Sequence, residues 1–324
     1  KSLFVTLSAS SCLVLIGFAV NHLQSWGKPV DYAHQRRANS GFTACEYGDT
    51  YLPKPKCQNK DSPRILVWGD SYAMHLIEGI TASTDNGVVQ ATKSLCGPFL
   101  GISVYYPALP AYSRSWAKGC MQFNQTVLNH LSSTPAVDVV VISSWYEQYL
   151  AGSPLLANVN GGIQPTTKSF EEKDGGQDVA VESLRATISA VRALGKRVVM
   201  VARPPMSGFD VGRCLEIKAN GKTFFGADNR SCAIDEVKYR TSSKEVLAFL
   251  DRVSREADVS VIRLDDFLCH AGTCATERNG TVLYRACWAA KWGLPAKSWQ
   301  QRVKRQITNF DSKQRPPHKW MNPI

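Results

Sequence analysis

The chain has 324 residues, of which 44% are hydrophobic, and a formal net charge of +11. That length can hold one large α/β domain or two small ones, and it can bury a full core. The location of the charge argues against a nucleic-acid-binding surface. From Arg285 onward there are nine Lys or Arg residues and one acid, Asp311, so this stretch supplies +8 of the +11. We therefore expect no nucleic-acid partner.

The first predicted element is an apolar segment, Leu3–Val20, that contains no charged residue. A helix of this length spans roughly 27 Å, just enough for the core of a bilayer. A signal peptide is the alternative, since such segments also open with a basic residue and an apolar stretch. No good small-x-small cleavage site stands between Val20 and Pro29, so we predict a transmembrane helix over residues 1–22. Because the chain starts at Lys1, we expect a fragment or a processed product.

Residues 23–63 are polar and loop-like, and we interpret them as a linker and a disulfide-bearing extension. Eight of the ten cysteines in the chain fall into neighbouring couples around Gly-, Pro- or Asn-bearing loops, and none forms a zinc pattern. We therefore predict local disulfides and no metal site; buried free thiols are the alternative. Disulfides require an oxidising compartment such as a bacterial periplasm. The predicted pairs are Cys45–Cys57, Cys96–Cys120, Cys214–Cys232 and Cys269–Cys274.

From Arg64 onward, short apolar runs alternate with helical patterns. The predicted strands are Arg64–Trp68, Val88–Thr92, Val137–Ser143, Arg197–Ala202 and Val259–Leu264. The predicted helices are Ala73–Ala82, Gln122–Ser132, Asp178–Leu194 and Ser243–Glu256. Such alternation indicates a parallel sheet that is covered by helices on both faces. We predict one three-layer α/β/α domain over residues 64–285.

Ser71 is the candidate nucleophile. It stands in W-G-D-S-Y, directly after the first predicted strand and at the start of the first helix. A serine at this point is exposed at the carboxyl edge of a parallel sheet, where α/β proteins place their sites. Backbone N–H groups at the helix start can stabilise an oxyanion, and Gly69 allows a tight turn. The alternative is an ordinary helix cap formed by Asp70 or Ser71.

The stretch RILVWGDSYAMHL (64–76) resembles the first block of the SGNH (GDSL-like) hydrolase superfamily. It is most similar to the version that is fused to acyltransferase family 3 membrane proteins. The cysteine couples, the LCGPF segment (95–99), the Ser-Ser-Trp that ends the third strand and CHAGTC…NGTVLYR (269–285) agree with that version. The resemblance implies a flavodoxin-like fold that uses no cofactor.

The resemblance also implies an activity and a location. Proteins of this family O-acetylate surface polysaccharides: the membrane part brings the acyl group across, and the SGNH part moves it onto sugar hydroxyls. Leu3–Val20 resembles the last helix of that membrane part. We therefore expect a bacterial inner-membrane protein with one span and a periplasmic catalytic domain. Its partners would be a polysaccharide acceptor, such as the O-antigen of lipopolysaccharide, and a membrane acyltransferase domain that delivers the acyl donor.

The family's site residues carry over unevenly. The oxyanion glycine falls loosely at Gly97, which would be the second N–H donor beside that of Ser71. The asparagine of the third block is absent, and Trp145 stands there as a wall or an indole donor; a packed aromatic is the alternative. Asp70 and His75 belong to the first block. We expect His75 to position or pack rather than to act as a base.

The largest departure follows Arg285. The family continues the Leu-Tyr-Arg element with Asp-x-x-His, whose histidine takes the serine proton and whose aspartate orients the imidazole. Here the sequence continues ACWAAKWG, and no Asp-x-x-His occurs downstream. Four of the eight tryptophans also lie beyond Arg285. We interpret residues 286–324 as an atypical basic tail from a shifted reading frame; a natural tail on an inactive or rewired domain is the alternative.

The remaining histidines and acids are poor substitutes for that base. His270 lies between two predicted disulfide cysteines, His318 lies in a Pro-flanked tail, and Asp265 and Asp266 are expected to cap a loop. We therefore predict an O-acyltransferase that is impaired as written. An SGNH esterase or deacetylase is the first alternative, and a catalytically dead glycan-binding domain is the second.

Overall fold

The structure is a computed structural model that describes residues 41–42, 45–150, 152–158, 170–219, 232–278, 281–286 and 289–290. The predicted transmembrane helix over residues 1–22 lies outside these ranges, as does almost all of the predicted tail. Within the described ranges, no helix is long and apolar enough to cross a membrane.

The described chain alternates between strands and helices. Its strands are β1 (Ile65–Gly69), β2 (Val88–Thr92), β3 (Ile102–Val104), β4 (Val139–Ser143), β5 (Pro154–Asn158), β6 (Phe170–Asp174), β7 (Arg197–Val201), β8 (Ile234–Asp235), β9 (Ser260–Ile262), β10 (Cys269–His270), β11 (Thr273–Cys274), β12 (Glu277–Arg278), β13 (Thr281–Val282), β14 (Tyr284–Ala286) and β15 (Ala289–Ala290). Its helices are α1 (Ser71–Ser83), α2 (Arg114–Ser133), α3 (Gln177–Ala193), α4 (Val211–Ala219), α5 (Glu236–Ser242), α6 (Lys244–Glu256) and α7 (Asp265–Leu268).

A five-stranded parallel sheet forms the centre of the domain, in the order β2-β1-β4-β7-β9. Counted within the sheet, this order is 2-1-3-4-5, the doubly wound order of flavodoxin-like folds. The prediction of an α/β domain with a parallel sheet is therefore confirmed. All five predicted strands are present, with ends that differ by at most two residues.

Helices cover both faces of this sheet, because successive side chains of a strand point to opposite faces. One core contains Leu66 and Trp68 of β1 together with buried residues of α2, α3 and α6. The other contains Ile65 and Val67 of β1 together with buried residues of α1 and α4. With the sheet between two layers of helices, the domain has the three layers that the apolar runs predicted.

Several elements differ from the sequence prediction. Helices α4, α5 and α7 and the short strands β8 and β10–β15 were not predicted. Helix α2 begins at Arg114 rather than at Gln122. Its first turns have no clear apolar pattern to predict them, because buried Ala117 and Cys120 are mixed there with charged residues. A small antiparallel sheet of β3, β5 and β6 was not predicted. Its outer strand β6 reads Phe-Glu-Glu-Lys-Asp and is largely exposed, so it has no apolar run to reveal it.

The extension before β1 packs on the edge of the central sheet. The Tyr47 N–H donates to Thr92 O, and the Asn59 N–H donates to Val88 O, each at 3.2 Å. These bonds occupy backbone groups of the edge strand β2, which would otherwise be open to pairing with another chain. The described part of the segment interpreted as a linker therefore completes the sheet.

All four predicted disulfides are present. They are Cys45–Cys57, Cys96–Cys120, Cys214–Cys232 and Cys269–Cys274.

Candidate active site

Ser71 is the first residue of α1 and follows β1 after a single intervening residue. It lies at the carboxyl edge of the sheet beside β4, at the point where the strand order reverses. This is the position at which doubly wound folds bind their ligands. The side chain is half-buried, and its Oγ makes no hydrogen bond within the described residues. The described part of the fold therefore does not use the lone pairs of this hydroxyl, and its role as the nucleophile stays a prediction.

Gly69 makes this placement possible. Its φ is +151°, and a Cβ atom at this position would lie 1.9 Å from the backbone oxygen of Ser143 on β4. Only glycine fits both the backbone angle and the close approach. The glycine of W-G-D-S-Y thus allows the backbones of β1 and β4 to approach each other closely, two residues before the candidate nucleophile.

Asp70, and not Ser71, caps the helix. Its Oδ1 accepts the Tyr72 N–H at 2.9 Å, and its Oδ2 accepts the Ser144 hydroxyl at 2.7 Å and the Trp145 N–H at 2.8 Å. The carboxyl group is fully buried, and this burial raises its pKa to about 6, against the lowering effect of these hydrogen bonds. Asp70 therefore ties the start of α1 to the end of β4.

Trp145 is brought to the same edge as Ser71 through this contact with Asp70. The residue is half-buried. Its roles as a wall or an indole donor stay predictions.

The loop after β2 brings Gly97 close to Ser144, because a Cβ atom at Gly97 would lie 2.6 Å from Ser144 Oγ. The N–H of Gly97 is already engaged, since it donates to the hydroxyl of Tyr149 at 3.0 Å. To act as an oxyanion donor, as predicted, it would first have to leave Tyr149. Leu95, two residues before Gly97, has a φ of +57°, so the loop also carries backbone strain.

Two buried contacts hold this loop in place. The side-chain amide of Asn124 on α2 donates to the Gly97 carbonyl at 2.8 Å, and its Oδ1 accepts the indole N–H of Trp68 at 2.9 Å. The Cys96–Cys120 disulfide ties the same loop to α2. The position of Gly97 is therefore set by α2 and β1 together.

His75 lies one turn after Ser71 on α1, about 6 Å further along the helix axis. It is half-buried. The positioning or packing role predicted for it is untested by this geometry.

Sequence reasoning missed an ion pair between Arg203 and Glu147 at this edge. Arg203 follows β7 and is 7% exposed, and its guanidinium pairs with Glu147 in the turn after Trp145 and donates to Ser243 Oγ at 3.1 Å. The charge of Glu147 also helps to raise the pKa of Asp70. A charged residue directly after the apolar run RVVMVA (197–202) was the available signal.

Within the described residues, none of the other candidate bases forms a hydrogen bond with Ser71. The buried carboxylate of Asp265 is held by Arg263 and Arg240, with three contacts at 3.2 Å, so it forms ion pairs where a loop cap was expected. His270 is exposed on the β10–β11 hairpin. His318 lies outside the described residues.

Comparisons with known proteins decide the family. The sequence profile described as "SGNH domain (fused to AT3 domains)" matches residues 32–285, well over half of the chain. This chain belongs to that family. The match ends at Arg285, the residue after which the family's Asp-x-x-His is missing here.

One solved structure similar to this SGNH domain is titled the periplasmic domain of a lipopolysaccharide acetyltransferase of Salmonella ser. Paratyphi A. It is 14% identical in sequence, with a TM-score of 0.49, and the alignment covers 77% of this chain and 84% of that chain. No curated protein sequence matches this SGNH chain at a significant level.

The family assignment gives a structural meaning to the first residues after Arg285. The family's aspartate and histidine would stand at positions 286 and 289, where this chain has alanine. The backbone pairs these two positions across an antiparallel hairpin of β14 and β15, and β15 lies beside α1. The hairpin therefore brings position 289 next to the helix that begins with Ser71.

Proposed function

We propose that this domain moves an acyl group, acetyl in the simplest case, onto a hydroxyl group of a cell-envelope polysaccharide through an acyl-Ser71 intermediate. The observation that carries the proposal is Ser71 at the start of α1, at the reversal point of the sheet, in a chain of the SGNH family. The fusion of this family to AT3 domains supports a membrane acyltransferase partner as the source of the acyl donor, and a periplasmic site.

The reaction has two steps. First, Ser71 Oγ attacks the acyl carbonyl carbon, the new ester bond forms, and the bond to the donor's leaving group breaks as that group takes up the proton from Oγ. Then a sugar hydroxyl attacks the same carbonyl carbon, the bond to Ser71 Oγ breaks, and the sugar's proton returns to the serine. Backbone N–H groups at the start of α1 would stabilise the oxyanion of each step.

This chain lacks the general base that its family uses for proton transfer. No Asp-x-x-His follows Arg285, and a positioned general base contributes roughly 10²- to 10⁴-fold to such reactions. We therefore expect slow turnover. Re-sequencing the DNA around codon 285 tests the reading-frame interpretation: an in-frame Asp-x-x-His would restore the base, whereas a verified ACWAAKWG would establish a natural variant.

A serine-reactive fluorophosphonate tests the nucleophile. We expect it to label the wild-type chain and not Ser71→Ala, and we expect an activated acetyl ester to transfer its acetyl group to added polysaccharide. Labelling with hydrolysis but without transfer would make the domain an esterase. Absence of labelling, together with retained binding of polysaccharide, would favour the catalytically dead glycan-binding domain, which the missing base also favours.

A further inference from the structure

A cleft of about 770 Å³ opens next to the candidate active site. Arg203, Met206, Phe209 and Tyr239 are among the residues that line it. The hydroxyl of Tyr72, the residue after Ser71, contacts Met206 Sδ at 3.7 Å. We call the opening the β7–α5 cleft. A residue of the helix that begins with Ser71 is therefore in contact with a residue that lines this cleft.

A tyrosine hydroxyl lines this cleft without a hydrogen bond to the described residues. Tyr239 is only 2% exposed, and within the described residues its hydroxyl makes no hydrogen bond. Burial, helped by the charge of Asp265 and opposed by the charges of Arg203, Arg263 and Arg240, raises the pKa of Tyr239, so the group is a neutral donor and acceptor at physiological pH. A hydroxyl that makes no hydrogen bond within the described fold is available to donate to, or accept from, a ligand in the cleft.

The rim of the cleft offers an aromatic surface. Phe209 is 38% exposed, and its backbone is held by the Ser207 hydroxyl, which accepts the Phe209 N–H at 3.2 Å. An exposed aromatic ring and a hydroxyl in one cleft match a sugar ring, which presents C–H groups on its face and hydroxyls on its edge.

The buried charge that lines the cleft is paired, and the exposed charges are solvated. The Arg203 guanidinium is paired with Glu147, and the Asp235 carboxylate caps α5 by accepting the Lys238 N–H at 2.9 Å. Lys238 is exposed, so its charge is solvated. The lining therefore favours a neutral ligand over an anionic one.

We propose that the β7–α5 cleft binds a neutral pyranose ring of the glycan acceptor, with Phe209 against the face of the ring and the Tyr239 hydroxyl bonded to one of its hydroxyl groups. The proposal rests on the proposed function, because it supplies the acceptor subsite of the Ser71 reaction. It adds the location of the acceptor and the preference for an uncharged sugar.

Saturation-transfer NMR on the full chain tests this cleft. The probes are the methyl glycosides of mannose, galactose, rhamnose and glucuronic acid. We expect saturation transfer to at least one neutral glycoside, with the Kd raised roughly tenfold in Phe209→Ala and about three- to tenfold in Tyr239→Phe. Leu52→Ala is the matched control, since Leu52 is an exposed apolar residue of the N-terminal extension, and it should bind like the wild type.

Three outcomes would overturn the proposal: no neutral glycoside binds, Phe209→Ala binds as well as the wild type, or the glucuronide binds best. The measurement needs no chemistry, so Ser71→Ala should bind the same glycosides. Sugar binding without fluorophosphonate labelling would reject the acyl-Ser71 intermediate and keep the cleft. Labelling without sugar binding would reject the cleft and keep the intermediate.

Discussion

The carboxylate of Asp70 accepts the backbone N–H of Trp145 at 2.8 Å, across the seam between β1 and β4. Through its other oxygen the same carboxylate caps the helix that begins with Ser71. The candidate nucleophile and the candidate wall of its site are therefore held to each other by one buried group. Changes at Asp70 should alter stability and site geometry together.

Replacing Asp70 with asparagine should remove a pH-dependent part of the stability. Burial raises the pKa of Asp70 to about 6, from about 4 in an unfolded chain. Because the folded pKa is the higher one, the stabilising contribution is complete below pH 4 and is lost as the pH rises through 6. Relative to Asp70→Asn, the free energy of unfolding of the wild type should fall by about 2 kcal/mol between pH 4 and pH 7. Urea denaturation at both pH values measures this difference, and a constant difference would contradict it.

Gly69→Ala should prevent folding or cost more than about 4 kcal/mol, because the added Cβ meets a backbone oxygen that cannot move without separating β1 from β4. Gly48→Ala is the matched control: nothing lies within 4 Å of its Cβ position, and its stability should change by less than about 0.5 kcal/mol. Soluble yield and urea denaturation compare the two variants. Equal stabilities would show that the strands can separate at no cost.

The Cys96–Cys120 disulfide should contribute more stability than the Cys269–Cys274 disulfide. The first closes a sequence separation of 24 and the second a separation of 5. Loop-closure entropy then predicts losses of about 3.5 and about 2 kcal/mol when each pair is replaced by alanine. Denaturant midpoints of the two double variants test this order. A larger loss for the Cys269–Cys274 variant would contradict the prediction and would show that native contacts around the disulfides outweigh the entropy of the unfolded chain.

Local patterns were sufficient for the sheet, the disulfide pairs and the placement of Ser71. Each depends on residues that are near in sequence: an apolar run, a cysteine couple, or a strand that ends in Gly-Asp-Ser. The engagement of the Gly97 N–H by Tyr149 and the bond from Trp68 to Asn124 had no such signal. They join segments 52 and 56 residues apart, and only the packing of α2 and of the turn after β4 against the sheet brings them together.

The Arg203–Glu147 pair should show strong coupling in a double-mutant cycle. Arg203→Leu leaves the Glu147 carboxylate without its cation, and Glu147→Gln leaves a buried guanidinium without its anion, so each should cost about 3 kcal/mol. The double variant should cost less than the sum by about 1–3 kcal/mol. Lys218→Leu is the control, since the Lys218–Glu277 pair is 57% and 36% exposed, and we expect no measurable loss there. Additive effects would mean that the pair is not coupled.

Restoring the missing base should restore catalysis. The hairpin of β14 and β15 pairs position 286 with position 289 beside α1, so the variant Ala286→Asp/Ala289→His places the family's two residues on a backbone that already reaches the nucleophile's helix. A general base at that point would accept the Ser71 proton, and we expect the rate of acetyl-ester turnover to rise by roughly 10²- to 10⁴-fold.

The matched control, Ala286→Asp/Ala290→His, moves the imidazole by one residue to the other side of the strand, and it should show no gain. The added activity should appear as the pH rises through the pKa of the histidine, near 6.5, because only the neutral imidazole accepts a proton. Equal rates in both double variants would show that the hairpin does not present position 289 to Ser71, and the defect would then lie in the fold of the segment rather than in the two missing side chains.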